Sequence, residues 1–120
     1  MSTLQKLILV ALCEERFALM KRREFNRVIK RLYWGSDSRA RTSSLSRAFE
    51  RLSDRHYLVR LGGRWKLTDH APSESGLLMA LSAWANAREF YALLGLKGPS
   101  LEAQGIKSKR GIEVELVGLD

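Results

Sequence analysis

The feature that most constrains this chain is a pair of adjacent glycines. In HYLVRLGGRWKLTDH, residues 56–70, two short runs of β-prone residues flank Gly62-Gly63. A two-residue hairpin loop with positive φ at both positions suits the right-handed twist of its strands, and glycine reaches that geometry without strain. The spacing predicts a hairpin over 57–68 and fixes its register. Leu61 then faces Arg64, Arg60 faces Trp65, and Leu58 faces Leu67. Opposed residues share a face, so Leu58 and Leu67 lie on one side with Trp65 and Arg60. Arg60 is placed to lie across the Trp65 ring. Val59, Arg64 and Lys66 show on the other side.

Helices are predicted around this hairpin. Over about 3–14, Leu4, Leu7, Ile8, Ala11 and Leu12 form a one-sided stripe, and Ser2 with Gln5 has the spacing of a capping box. Cys13 reads as a small packing residue. Over about 23–34, Phe25, Val28, Ile29, Leu32 and Tyr33 repeat the pattern, while Arg22, Arg23, Arg27, Lys30 and Arg31 occupy the other faces. Those cations are either a solvated face or phosphate contacts. Gly35 ends the helix, and GSDSR has turn composition.

The stretch RTSSLSRAFERL opens a third helix, about 43–55. Leu45, Ala48, Phe49 and Leu52 share one side; Thr42, Ser43, Ser44, Ser46, Arg47 and Arg51 fall elsewhere. The hydroxyl residues are good N-caps. Beyond APSESG, residues 71–76, one long helix is predicted to about Leu94, ended by Gly95. Leu77, Leu81, Trp84, Ala85 and Arg88 fall on one side of it, and Ala80, Trp84, Ala87, Tyr91 and Leu94 form a second stripe. That is more apolar circumference than a small monomer needs to bury. In the last residues, Ile112, Val114 and Leu116 alternate with Glu113 and Glu115, as in an extended arm or added strand. The expected organisation is a domain over 1–70, a C-terminal helix over 71–95 and an arm over 96–120.

Charge narrows the partner. The 120 residues carry a net +8, but residues 1–66 hold sixteen Lys/Arg against six Asp/Glu, leaving +10. Residues 67–120 hold five against seven, leaving −2. So uneven a distribution suggests a surface made for a polyanion. With the single cysteine Cys13, no internal disulfide forms, which fits a reducing compartment. The apolar run LILVALC, residues 7–13, is far too short to span a membrane and lacks a signal-peptide cleavage pattern. A cytoplasmic protein without membrane contact is expected. Enzyme chemistry has little to work with. His56 and His70 lack metal-ligand spacing, no Gly-rich phosphate loop is present, and nothing activates Cys13. No catalysis, metal or cofactor is expected.

Residues 43–69, SSLSRAFERLSDRHYLVRLGGRWKLTD, resemble the core of a winged helix-turn-helix domain of the MarR- and PadR-type transcription regulators. The shared pattern is a Ser-rich helix start, Ser-Arg-Ala, Arg-Leu, a short charged run, LVR, a glycine turn and LT closing the hairpin. The resemblance covers these 27 residues well and the two preceding helices by length and order alone. It departs in three places. His56 stands where a glycine with φ > 0 is usual. The connection over about 35–42 exceeds the tight turn of the simplest motifs. The wing is also too short for deep groove insertion by its tip.

The implied fold is mainly α with a small β-hairpin, a winged helix-turn-helix with an additional long C-terminal helix and an arm. The implied partner is double-stranded DNA, whose major groove of about 12 Å admits one helix. Helix 43–55 would be the recognition helix, entering by its N-terminal half. Its first amides and the hydroxyls of Thr42, Ser43, Ser44 and Ser46 suit phosphate oxygens. Arg47 is the candidate for a base edge. Arg51 would face outward with Arg47, Arg39 and Arg41 would meet the backbone, and Arg64 and Lys66 would meet adjacent phosphates or the minor groove. Alternatively Ser43 and Ser44 only cap the helix, and Arg51 pairs with Glu50 or Asp54. A homodimer through Leu77, Leu81, Trp84, Tyr91 and Leu94 would set two recognition helices roughly 34 Å apart on a palindrome. Two other functions compete: a winged-helix protein–protein module, and nucleic-acid binding without sequence preference, to RNA or as an architectural protein. The +10 of residues 1–66 argues against the first.

Overall fold

Gly62 and Gly63 take φ of 56° and 77° and close the hairpin that the sequence predicts. The computed structural model describes residues 1–95. Strand β1 (Leu58–Leu61) pairs antiparallel with β2 (Arg64–Leu67), Leu58 opposite Leu67, Val59 opposite Lys66, Arg60 opposite Trp65 and Leu61 opposite Arg64. The Thr68 N–H extends the ladder by donating to the Tyr57 carbonyl at 3.0 Å. Just before β1, His56 has φ 65°, the one positive φ outside glycine among the described residues. The corner is closed by the Tyr57 N–H on the Leu52 carbonyl at 3.0 Å, and the Thr68 hydroxyl donates to the His56 carbonyl.

The rest of the described chain is mainly helical. Before the hairpin come α1 (Thr3–Cys13), α2 (Glu15–Ala18), α3 (Arg22–Trp34), a 3-10 turn (Arg39–Arg41) and α4 (Thr42–Asp54); after it come α5 (Glu74–Leu81) and α6 (Ala87–Leu94). Two compact units divide inside α5, one covering Met1–Leu77 and a second beginning at Leu78. Among the described residues no helix is long and apolar enough to cross a membrane.

Within the first unit α1 touches α2, α3, α4 and β2. The expected stripe of Leu4, Leu7, Ile8, Ala11 and Leu12 is buried, but the burial is not one-sided. Leu7, Ile8, Leu9, Val10 and Ala11 are all fully buried, the state expected of a helix that is apolar all round. Ser2 caps its start, the Oγ accepting from the Gln5 N–H at 3.2 Å. The reciprocal half of the capping box is not made, since Gln5 Oε1 is buried with no partner. The single turn α2 was not expected; it carries Phe17 into the core. Helix α3 follows its predicted span, buries Phe25 and Ile29, and ends on Gly35 at φ 82°, whose N–H donates to the Arg31 carbonyl at 2.9 Å.

The long C-terminal helix is overturned, because the chain breaks over 82–86. Ser82 turns both its N–H (3.2 Å) and its hydroxyl (2.7 Å) onto the Met79 carbonyl, three residues back. A serine hydroxyl offers the backbone this alternative to the i→i−4 ladder. Tight turns then continue, with the Trp84 N–H on the Leu81 carbonyl and the Ala87 N–H on the Trp84 carbonyl. The break brings Trp84 edge-on to Phe90, with centroids 6.1 Å apart, and lets the Tyr91 hydroxyl donate to the Leu78 carbonyl at 2.6 Å. The five residues expected on one dimer face therefore fall on two helices, with Trp84 in the break between them. Leu77, Leu81 and Tyr91 are buried within the chain and Trp84 is half-buried. The Leu94 side chain and the arm over 96–120 lie outside the described residues.

Candidate nucleic-acid interface

Helix α4 is anchored by one side. Leu45, Ala48, Phe49 and Leu52 are buried. The Phe49 ring stacks on Trp65 with centroids 4.6 Å apart and planes 4° from parallel, and meets Phe25 of α3 at 6.1 Å. Arg60 holds its guanidinium 5.7 Å from the Trp65 centroid, as the hairpin register predicts. Helix α4 is thus wedged between α3 and the hairpin, which fixes the direction of its outer face.

That outer face is polarised along its length. Ser43, Ser46 and Arg47 are exposed toward its start, Glu50, Arg51 and Asp54 toward its end, and Ser44 is half-buried. Ser43, Ser46, Arg47 and Glu50 follow i, i+3, i+4, i+7 and so share one stripe. Hydroxyls and Arg47 lead; the carboxylates follow. Arg47 and Arg51 have no ion pair among the described residues, so the alternative pairing of Arg51 with Glu50 or Asp54 is not formed.

The start of α4 differs from expectation. Neither Ser43 nor Ser44 caps it. The N-cap position of α4 is Arg41, which makes no side-chain cap, and Ser38 instead caps the preceding 3-10 turn, its Oγ accepting from the Ala40 N–H at 3.2 Å. The Arg41 N–H donates to the Ser38 carbonyl and the Thr42 N–H to the Arg39 carbonyl. Two consequences follow. The first amide of α4, that of Thr42, is already used, and the serine hydroxyls at 43, 44 and 46 make no hydrogen bond among the described residues.

Through-space contacts supply what the sequence reading missed. Lys30 of α3 reaches across to donate from Nζ to the Thr42 Oγ1 at 2.9 Å. Arg41 lies over the Trp34 ring at 5.5 Å. These two contacts pin the 3-10 turn to α3 and gather Lys30, Arg39 and Arg41 around the start of α4. Asp37, in the connection, holds Arg31 at 3.2 Å and Arg27 at 3.7 Å. Only the turn composition of GSDSR signalled that connection, and nothing in it names these partners.

Arg64 and Lys66 are exposed but are not brought to this group. They flank Trp65 on β2 and, by the alternation of a strand, lie on the face opposite the ring that stacks on Phe49 of α4. The hairpin tip is tied down as well, the Arg22 N–H donating to the Gly63 carbonyl at 3.0 Å. The candidate surface therefore has a main patch at the start of α4 and a separate pair on β2.

The remaining chemistry-bearing groups are quiet. Cys13 donates its thiol to the Leu9 carbonyl at 3.4 Å. Burial, then the charges of Glu74 and Glu14, push its pKa up to about 11, so it stays a neutral thiol. Burial raises the Tyr91 phenol, and burial followed by Glu14 raises the Glu74 carboxyl. His56 and His70 stand 6.5 Å apart, and no group of three or more potential metal ligands gathers among the described residues. Comparison with known proteins finds no matching family model, no matching curated protein and no matching solved structure.

Proposed function

We propose that the protein binds double-stranded DNA sequence-specifically as a winged-helix transcription regulator, with the N-terminal half of α4 in the major groove. One observation carries this reading. Arg47, Ser43 and Ser46 stand exposed, with no partner among the described residues, on a helix whose opposite face is buried. Arginine is the commonest reader of guanine, through its O6 and N7. Lys30, Arg39 and Arg41 at the helix start serve as phosphate contacts that set register. Arg64 and Lys66 meet phosphates to one side, by their side chains and not by insertion of the tethered tip. Pairing of two chains on a palindrome is part of the proposal, with a face other than the buried Leu77, Leu81 and Tyr91.

Selection of binding sites from a random duplex pool tests the reading, with the winner then titrated against scrambled DNA at two salt concentrations. One preferred site is expected, bound two chains per duplex. Arg47→Ala should weaken that site by about 1–3 kcal/mol and relax preference at one base pair. Arg39→Ala should weaken selected and scrambled duplex alike and lower the salt slope by about 1. A pool that never converges would replace sequence reading with binding to backbone alone.

A further inference from the structure

We infer that the groove between β2 and the corner formed by α1 and α2 binds a small amphipathic carboxylate. The groove encloses about 430 Å³, within the range of roughly 300–1,000 Å³ usual for small-molecule sites. Leu12, Leu19, Leu61 and Leu67 form its apolar walls, together with one flank of Trp65. Its charged borders are Arg64 and Lys66, and no acidic side chain lines it. Residues 64–67 all border it although successive strand residues point to opposite faces, so it runs along the edge of β2.

The exposure pattern fits a binding surface. Leu19 and Leu61, at 54% and 55% exposed, are the two most exposed large apolar side chains among those described. Both border this one groove. Apolar walls need an alkyl or arylalkyl chain, and two unopposed cations need an anion. Arg64 offers the planar fork that receives a carboxylate through two parallel N–H donors, and Lys66 adds a point charge. The volume suits a single small molecule rather than a docked helix, whose diameter alone is about 10 Å.

A carboxylate seated there occupies the same two cations that would otherwise meet phosphate. If the duplex reading holds, ligand and DNA then weaken each other's binding by equal factors. That consequence rests on the duplex reading; the groove does not.

Titration calorimetry on the full chain, without nucleic acid, tests the site with sodium octanoate, sodium hexanoate, sodium acetate and octyltrimethylammonium. Octanoate should saturate at one per chain. It should bind about 16-fold tighter than hexanoate, since each buried methylene changes affinity about fourfold. Acetate should show no saturation, and octyltrimethylammonium should bind at least about tenfold more weakly than octanoate. Leu61→Ser, Leu19→Ser and the double change Arg64→Ala/Lys66→Ala should each weaken octanoate at least about fivefold. Leu19 and Leu61 are exposed, so these variants remain folded. Equal affinity for the cationic and anionic chains would overturn the proposal, as would octanoate binding unchanged in all three variants or no saturation up to about 10 mM. Because no DNA is present, failure here is separate from failure of the duplex reading. A second titration, of the selected duplex with and without octanoate, tests the coupling alone.

Discussion

Helices α3 and α4 invite comparison because they are built alike and differ in what their cations do. Each is 13 residues long and amphipathic, but α3 carries five Lys/Arg against one Glu, whereas α4 carries two Arg against Glu50 and Asp54. On α3, Arg27 and Arg31 turn to Asp37 and Lys30 turns to Thr42. On α4, Arg47 and Arg51 turn to nothing among the described residues. Cation density is therefore a poor guide to a contact surface when taken alone. What separates Arg47 from Arg27, Lys30 and Arg31 is that it has no partner among the described residues, on a helix whose opposite face is buried. The exposed pairs of α3 are individually weak, worth about 0–1 kcal/mol, yet they fix where those side chains spend their time.

The largest effect should come from removing the support beneath α4. Phe49 is buried, stacked on Trp65 and in contact with Phe25, so Phe49→Ala removes the shared brace of α3, α4 and the hairpin. A loss of about 3–5 kcal/mol in urea unfolding is expected, as for other buried aromatic truncations. A loss under about 1 kcal/mol would mean that α4 is held by something other than this stack. Next in size is the contrast between the two outer faces in duplex binding. Arg47→Ala should lose about 1–3 kcal/mol on the selected site, against less than about 1 kcal/mol for Arg31→Ala. Equal losses would erase the distinction between a free and a partnered arginine.

Much of α4 was legible in the sequence because its information is local. The spacing of Leu45, Ala48, Phe49 and Leu52 names the buried side, and Gly62-Gly63 fixes the strand register that puts Arg60 on Trp65. His56 at positive φ was likewise marked by its place before the first strand. What stayed hidden depends on encounters through space or on competition within the backbone. The role of Asp37 follows from two arginines on a neighbouring helix. The cap at Ser38 lies four residues before Thr42, because it serves an unannounced 3-10 turn. The break over 82–86 turns on Ser82, whose hydroxyl competes with the helix ladder, while the apolar stripes ran through it uninterrupted. The resemblance offered free amides at the helix start; the 3-10 turn takes the first of them, the Thr42 N–H.

A smaller effect sets the pH window in which α3 and α4 can be contrasted cleanly. Cys13 of α1 has its thiol raised from an ordinary 9.0 to about 11, by burial and then by Glu74 and Glu14. The folded chain thus holds this proton more tightly than the unfolded chain. The stabilisation is complete below pH 9 and disappears as pH rises to about 11. Since the thiol is only half-buried, about 1 kcal/mol is expected after solvent screening. Cys13→Ala should flatten the stability profile between those pH values, as read by thermal unfolding. An unchanged profile would assign the alkaline loss to another group, such as Tyr91.

The smallest expected change is the sharpest test of partnering, because it makes α3 resemble α4. Asp37→Asn removes the carboxylate that holds Arg27 and Arg31 and leaves an amide of nearly the same shape. Stability should move by less than about 1 kcal/mol, since both pairs are exposed. Duplex binding should tighten slightly, and equally on selected and scrambled DNA, because phosphates carry no sequence information. The salt slope should steepen by about 1 for each arginine that reaches a phosphate, so by as much as about 2. A slope that does not change would mean that the outer face of α3 never approaches the duplex, leaving its charge as a solvated surface. A tighter grip on the selected site alone would give Arg27 or Arg31 a reading role, and α4 would no longer be the sole source of specificity.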